Sequence, residues 1–176
     1  MTRETPDFDH DQDLFDLAVR VGENLMQRGW MLVTAESCTG GWVGQAVTAV
    51  AGSSIWYDRG FITYSNRSKC EMLGVQSALL DQFGAVSPQT AQAMVTGALT
   101  RSHAQIGLSI TGIAGPAGGT AKKPVGMVCF AWASKDGSVQ HETHHFKGNR
   151  ESIRRSAVTT ALRGILHLLD NAIVMA

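Results

Sequence analysis

A three-layer α/β domain with a mixed β-sheet is the fold class this sequence predicts. Three observations carry it. Segments with apolar residues at helical spacing alternate with short apolar or β-branched runs. Two of those runs flank Lys135-Asp136-Gly137, a hairpin turn that adds antiparallel strands to a sheet otherwise joined by helices. A chain of 176 residues, 44% hydrophobic and 17% charged, suits one packed core. The expected layout is one domain over residues 12–170, with an acidic tail over 1–11 and a short tail over 171–176.

The elements follow in order. Leu14, Leu17, Ala18, Val21 and Leu25 recur at helical spacing, so a helix is predicted from about Asp11 to Arg28, ended by Gly29. "WMLVTA" reads as a buried strand. "WVGQAVTAVA" reads as a small-residue helix stopped by Gly52. "GFITYS" is strand-like through Phe61, Ile62, Thr63 and Tyr64. Ser65 suits the cap of a short helix carrying Lys69, Met72 and Leu73, closed by Gly74. A second short helix fits Ser77 to Phe83, and Ser87-Pro88 opens another, to about Ser102. "QIGLSIT" is the next strand, followed by a glycine-rich loop over residues 112–124. "VGMVCFAWAS" and "SVQHETHHF" form the hairpin. Ile153, Ala157, Ala161, Leu162, Ile165 and Leu169 mark a final amphipathic helix.

Composition narrows the function classes. Formal net charge is zero, with no basic stripe for the phosphate backbone of nucleic acid. No apolar run approaches the ~20 residues of a membrane span. The cysteines Cys38, Cys70 and Cys129 are irregularly spaced and fit neither a disulfide framework nor a zinc site. Reduced thiols and a cytoplasmic location are expected. In "HETHH", His141 and His145 share a strand face but lie roughly 13 Å apart at ~3.3 Å per residue, so no metal site is expected there.

Chemistry concentrates at "TAESCTGGW", residues 34–42. A strand ends, and a helix starts after a Ser-Cys-Thr-Gly-Gly corner. Serine is a preferred helix cap, and the local pattern alone favours that use of Ser37. A nucleophile at the same place would find oxyanion donors nearby, with the amides of Cys38, Thr39 and Gly40 as candidates. None of the six histidines sits in a setting that suits a base for Ser37. "TYSNRSK" offers another activator: Tyr64 follows Ser37 by 27 residues, and Lys69 follows Tyr64 by five. A lysine base must be neutral, so its pKa must fall well below ~10.4. The loop "TGIAGPAGG" suits backbone-amide wrapping of an anion but is neither a Walker loop nor a dinucleotide fingerprint. Lys122-Lys123 is a nearby source of positive charge. Arg150 opens the last helix, where a cation opposes the helix dipole. Arg154 and Arg155 read as a solvated helix face.

Together "TAESCTGGW", "AGSS" with "RGFITYSNRSK", "GAVS", "SITGIAGPAGG" with "KPVG", and "FKGNRESIRR" resemble the CinA C-terminal-domain family from about Leu14 to Leu169. Its stand-alone members are nicotinamide-nucleotide amidases. The resemblance implies hydrolysis of nicotinamide mononucleotide to nicotinate mononucleotide and ammonia, with neither metal nor cofactor. By motif, it implies Ser37 as nucleophile with Tyr64 and Lys69 as its assistants. Thr111, Gly112, Gly115, Gly118 and Gly119 fall in the family's substrate-holding loop, and Arg150 at its basic position. Met127 departs from the small polar residue expected after "KPVG". The expected partners are a small-molecule substrate and further copies of the chain in a homo-oligomer, with no nucleic acid or membrane. Two rival readings stand beside this one: an amidase using Cys38, and a nucleotide-binding family member without catalysis.

Overall fold

The computed structural model describes residues 8–173, and side chains over 12–170. The expected tails therefore lie largely outside the described residues, although the first helix already begins at Phe8. The element order is α1 (Phe8–Arg28), β1 (Leu32–Glu36), α2 (Trp42–Thr48), β2 (Tyr57–Ile62), α3 (Asn66–Leu73), α4 (Ser77–Phe83), α5 (Pro88–Thr100), β3 (Ile106–Gly112), β4 (Met127–Ser134), β5 (Val139–His145) and α6 (Arg150–Ile173). A single 3-10 turn, Ser53–Ile55, links α2 to β2.

The five strands form one mixed sheet in the order β2-β1-β3-β4-β5. β1 pairs in parallel with β2 and with β3. β3, β4 and β5 pair antiparallel. Helices cover both faces, giving the three-layer α/β/α architecture that the alternation of patterns implies. Strand periodicity separates the two cores. Ile106, Leu108, Ile110, Val128, Phe130 and Trp132 face one way and pack with α1, α2 and α6. Val33, Ala35, Cys129, Ala131 and Ala133 face the other way, toward α3, α4 and α5. The second face is built from small residues, so α5 lies close: Ser109 Oγ donates to the Ala91 carbonyl at 2.6 Å.

Besides the earlier start of α1, β2 and α2 differ from expectation. β2 starts at Tyr57 and ends at Ile62, three residues earlier at each end than "GFITYS". It is an edge strand, so its polar Asp58 and Arg59 are tolerated, and an apolar-run search passes over them. Tyr64 consequently lies in the loop after the strand, because β1 ends at Glu36 and offers no further partner. α2 stops at Thr48 rather than running to Gly52.

Candidate active site

The parallel strands β1, β2 and β3 all end at one edge of the sheet. β1 leaves to β2 on one side and has β3 on the other, so a crevice opens where the chain direction divides. Ser37 is the first residue beyond β1. Its backbone N–H donates to the Ile110 carbonyl (3.0 Å), and the Thr63 N–H donates to the Glu36 carbonyl (2.8 Å). These bonds fix the three strand ends against one another.

Lys69 approaches from α3. The helix start is set by a capping box: Ser65 Oγ accepts from the Ser68 N–H at 3.0 Å, and Ser68 Oγ accepts from the Ser65 N–H at 3.1 Å. This phasing turns Lys69 inward. It is only 1% exposed. Its Nζ lies 3.0 Å from Ser37 Oγ and donates to the Thr63 carbonyl at 2.8 Å. Burial pushes its pKa below the ordinary lysine value.

Ser37 does not cap α2. The N-cap is Gly41, in the left-handed region at φ 97°. A side chain there would also strike Ile62, whose Cδ1 would lie 2.8 Å from an added Cβ. The capping group is the Glu36 carboxylate, 1% exposed. Its Oε2 accepts from the N–H groups of Gly41 and Val43 (both 3.1 Å), and its Oε1 from that of Gly44 (3.0 Å). Ser37 is thereby released from the role that local pattern favours for it. Sequence reasoning missed Glu36, although an acidic residue just ahead of a helix start was a usable signal.

Ser37, Cys38, Tyr64, Lys69, Thr111, Gly112, Gly115, Gly118 and Arg150 line one cavity of about 290 Å³, together with Asn66. Thr39, Gly40 and Gly119 lie off it. Thr39 is fully buried, and Gly40 borders a neighbouring cavity with Trp42, Arg150 and Arg154. Gly119 packs against the Val125 backbone. The Gly40 N–H already donates to the Ser37 carbonyl at 3.0 Å. The Thr111 hydroxyl donates to the Ala85 carbonyl at 2.7 Å.

Tyr64 is 62% exposed at the cavity mouth. Its hydroxyl accepts from Arg150 Nη2 at 2.9 Å, while Arg150 Nη1 donates to the Gly115 carbonyl at 2.8 Å. Arg150 thus ties the α6 start to the glycine loop. Lys123 faces elsewhere: its Nζ donates to the Phe83 carbonyl at the end of α4 (2.6 Å). Arg154 corrects another expectation. It is half-buried rather than solvated, with Nε donating to the Cys38 carbonyl (3.1 Å) and Nη2 to the Thr39 carbonyl (2.8 Å). Cys38 is 7% exposed, and desolvation by burial pushes its thiol up to about 12. Among the described residues, no three His, Cys, Asp or Glu side chains cluster to hold a metal ion.

The chain is similar to known proteins over most of its length. Over 153 residues it is 48% identical to nicotinamide-nucleotide amidohydrolase PncC of Enterobacter agglomerans, covering 87% of this chain and 93% of that protein. The same-named protein of Escherichia coli K12 is 47% identical over the same length and coverage. Among solved structures, the competence/damage inducible protein CihA of Agrobacterium tumefaciens superposes with a TM-score of 0.86 at 47% identity, covering 90% of this chain and 96% of that one. A CinA superfamily protein of Klebsiella pneumoniae gives a TM-score of 0.86 at 38% identity, covering 90% and 98%. The CinA C-terminal domain family matches residues 14–169, and the chain belongs to that family.

Proposed function

We propose that this protein hydrolyses nicotinamide mononucleotide to nicotinate mononucleotide and ammonia, with Ser37 as nucleophile and neutral Lys69 as its base. One observation carries the reading: a buried lysine has its Nζ 3.0 Å from Ser37 Oγ. The names of the PncC relatives supply the substrate class.

Lys69 takes the proton of Ser37 Oγ as the oxygen attacks the carboxamide carbon. The tetrahedral oxyanion is held at the backbone N–H of Cys38, the Gly40 N–H being engaged already and Thr39 fully buried. The C–N bond then breaks, and the leaving amine takes the proton back from Lys69 and departs as ammonia. Water attacks the acyl-serine ester, losing its proton to Lys69. The carboxylate leaves, and Ser37 recovers its proton. The Tyr64 hydroxyl accepts from Arg150, which leaves its own proton to donate into the cavity and assist the leaving amine. Arg150 has further N–H groups for the substrate phosphate beside the glycine loop.

A thiolate route through Cys38 is disfavoured, because burial keeps the sulfur protonated at neutral pH. Ammonia release from nicotinamide mononucleotide tests the proposal. Wild-type protein is expected to release it, and Ser37→Ala to lose at least ~10³-fold in kcat. Equal rates in the two proteins would sink the mechanism, and no release from wild type would sink the function.

A further inference from the structure

Resting on that reading, we propose that Asn66 is a specificity-determining residue that hydrogen-bonds the ribose hydroxyls of the substrate. Asn66 lines the same cavity as Ser37 and Lys69. It is the first residue of α3, and the helix start does not depend on its side chain, because Ser65 and Ser68 make the capping bonds there. Asn66, Lys69 and Leu73 fall on one face of the helix. Lys69 and Leu73 are each 1% exposed, whereas Asn66 is exposed, so this face emerges from the core at the helix start. Asn66 therefore stands one turn, about 4.5 Å along the axis, to the solvent side of Lys69.

The Asn66 amide makes no hydrogen bond among the described residues, which leaves two N–H donors and a carbonyl acceptor free. Its polar neighbours on the cavity wall are engaged: Ser37 with Lys69, Tyr64 with Arg150, and Thr111 with the Ala85 carbonyl. The chemistry of the substrate selects the partner of this amide. Nicotinamide mononucleotide is a carboxamide on a pyridinium ring, then a ribose, then a phosphate. The carboxamide carbon must meet Ser37 Oγ beside the buried Lys69, and the phosphate is matched to the N–H groups of Arg150. The pyridinium ring carries neither a donor nor an acceptor of full strength. That leaves the two ribose hydroxyls, each both donor and acceptor, which a side-chain amide complements. They lie outward of the reacting carbon, as Asn66 lies outward of Lys69. A contact from Asn66 to the carboxamide itself would act on the reacting group and would show in kcat.

The experiment measures kcat and KM for ammonia release by wild type and Asn66→Ala. The substrates are nicotinamide mononucleotide and its 2′-deoxy and 3′-deoxy analogues, and melting temperatures establish that both proteins are folded. On the parent nucleotide, Asn66→Ala should raise KM roughly tenfold at nearly unchanged kcat, the scale of one neutral hydrogen bond. Wild type should lose a similar factor on at least one deoxy analogue. Asn66→Ala should lose little more on that analogue, because the contact is already gone. Losses from the substitution and from the missing hydroxyl that simply multiply would overturn the assignment. So would an unchanged KM in the variant, or a loss confined to kcat. Each of these leaves the proposed function standing. Absence of ammonia release from wild type removes the function itself, and this inference with it.

Discussion

Lys69 Nζ stands 3.0 Å from Ser37 Oγ, although the two residues are 32 positions apart in the chain. The pairing follows from topology. β1 and β2 are neighbouring parallel strands ending at the same edge, and α3 begins four residues after β2 ends, so its first turns fall beside the end of β1. The second bond of Nζ, to the Thr63 carbonyl at 2.8 Å, anchors the amine end where β2 leaves the sheet. A neutral amine satisfies both contacts: it accepts from the serine hydroxyl and donates to the carbonyl.

The first prediction concerns pH. Lys69 acts as a base only when deprotonated, and burial lowers its pKa from the ordinary 10.5. Activity should therefore rise with pH along a limb whose midpoint lies below that value. A kcat/KM profile from about pH 6 to about pH 10 checks this. Lys69→Arg should stay inactive throughout, since arginine keeps its proton. Appreciable activity in that variant would remove Lys69 as the base.

The same shift predicts a stability effect of definite sign. With the folded-state pKa depressed, the unfolded chain binds more protons in the window between the lowered value and the ordinary 10.5. The cost of burying Lys69 is fully present below the folded pKa and vanishes above the unfolded one. Lys69→Met should thus melt highest relative to wild type in acid and neutral buffers. The difference should shrink as pH rises toward about 10. A difference that grows with pH would contradict the assignment.

Cys38→Ala separates the two adjacent nucleophile candidates. The thiol is buried and pushed up to about 12. The expected outcome is kcat within a factor of about three of wild type, because alanine keeps the backbone N–H and deletes only a small buried group. Loss on the scale of ~10³-fold would reinstate the cysteine route.

The broad architecture was legible because strand periodicity and turn residues are local signals. Ile106, Leu108 and Ile110 alternate with Gly107, Ser109 and Thr111, and the structure sends the large set to one core and the small set under α5. β2 was placed too late because an edge strand need not be apolar, and its pairing through Tyr57, Arg59 and Gly60 is set by β1 alone. At the candidate site, the motifs marked Ser37, Tyr64, Lys69 and Arg150. They did not reveal Glu36 and Arg154, whose partners are backbone groups. Glu36 reads as an ordinary acidic residue until three N–H groups converge on it. Arg154 meets the corner from 116 residues away, a separation that no local pattern encodes.

Glu36→Gln tests that buried cap. The carboxylate accepts three N–H bonds through both oxygens. Glutamine retains one acceptor oxygen and turns an NH₂ toward at least one backbone N–H, leaving it unpaired. A loss of about 1–3 kcal/mol is expected, seen as a fall of several degrees in melting temperature. Because the corner carries Ser37, kcat should fall too. A variant that melts like wild type would show that water replaces the carboxylate at no cost.

Gly97→Ala sets helix propensity against packing. Glycine to alanine inside a helix ordinarily stabilises by about 1 kcal/mol. Here an added Cβ would lie 2.0 Å from the Leu73 carbonyl oxygen and 2.9 Å from its carbon, both backbone atoms at the end of α3. No rotamer change relieves that contact, so α3 and α5 must separate. Overpacking of this kind costs about 1–3 kcal/mol, more than the propensity gain. α3 also carries Lys69, whose carbonyl accepts from the Val75 N–H at 3.2 Å just past Leu73, so the shift reaches the base. The variant should lose both melting temperature and ammonia release. Gly29→Ala is the comparison: it has positive φ but nothing within 4 Å of an added Cβ, and it lies far along the chain from α3. It should cost only backbone strain, roughly 1 kcal/mol, and leave kcat intact. Equal effects from the two substitutions would mean that the approach of α5 to α3 does not hold Lys69 in place.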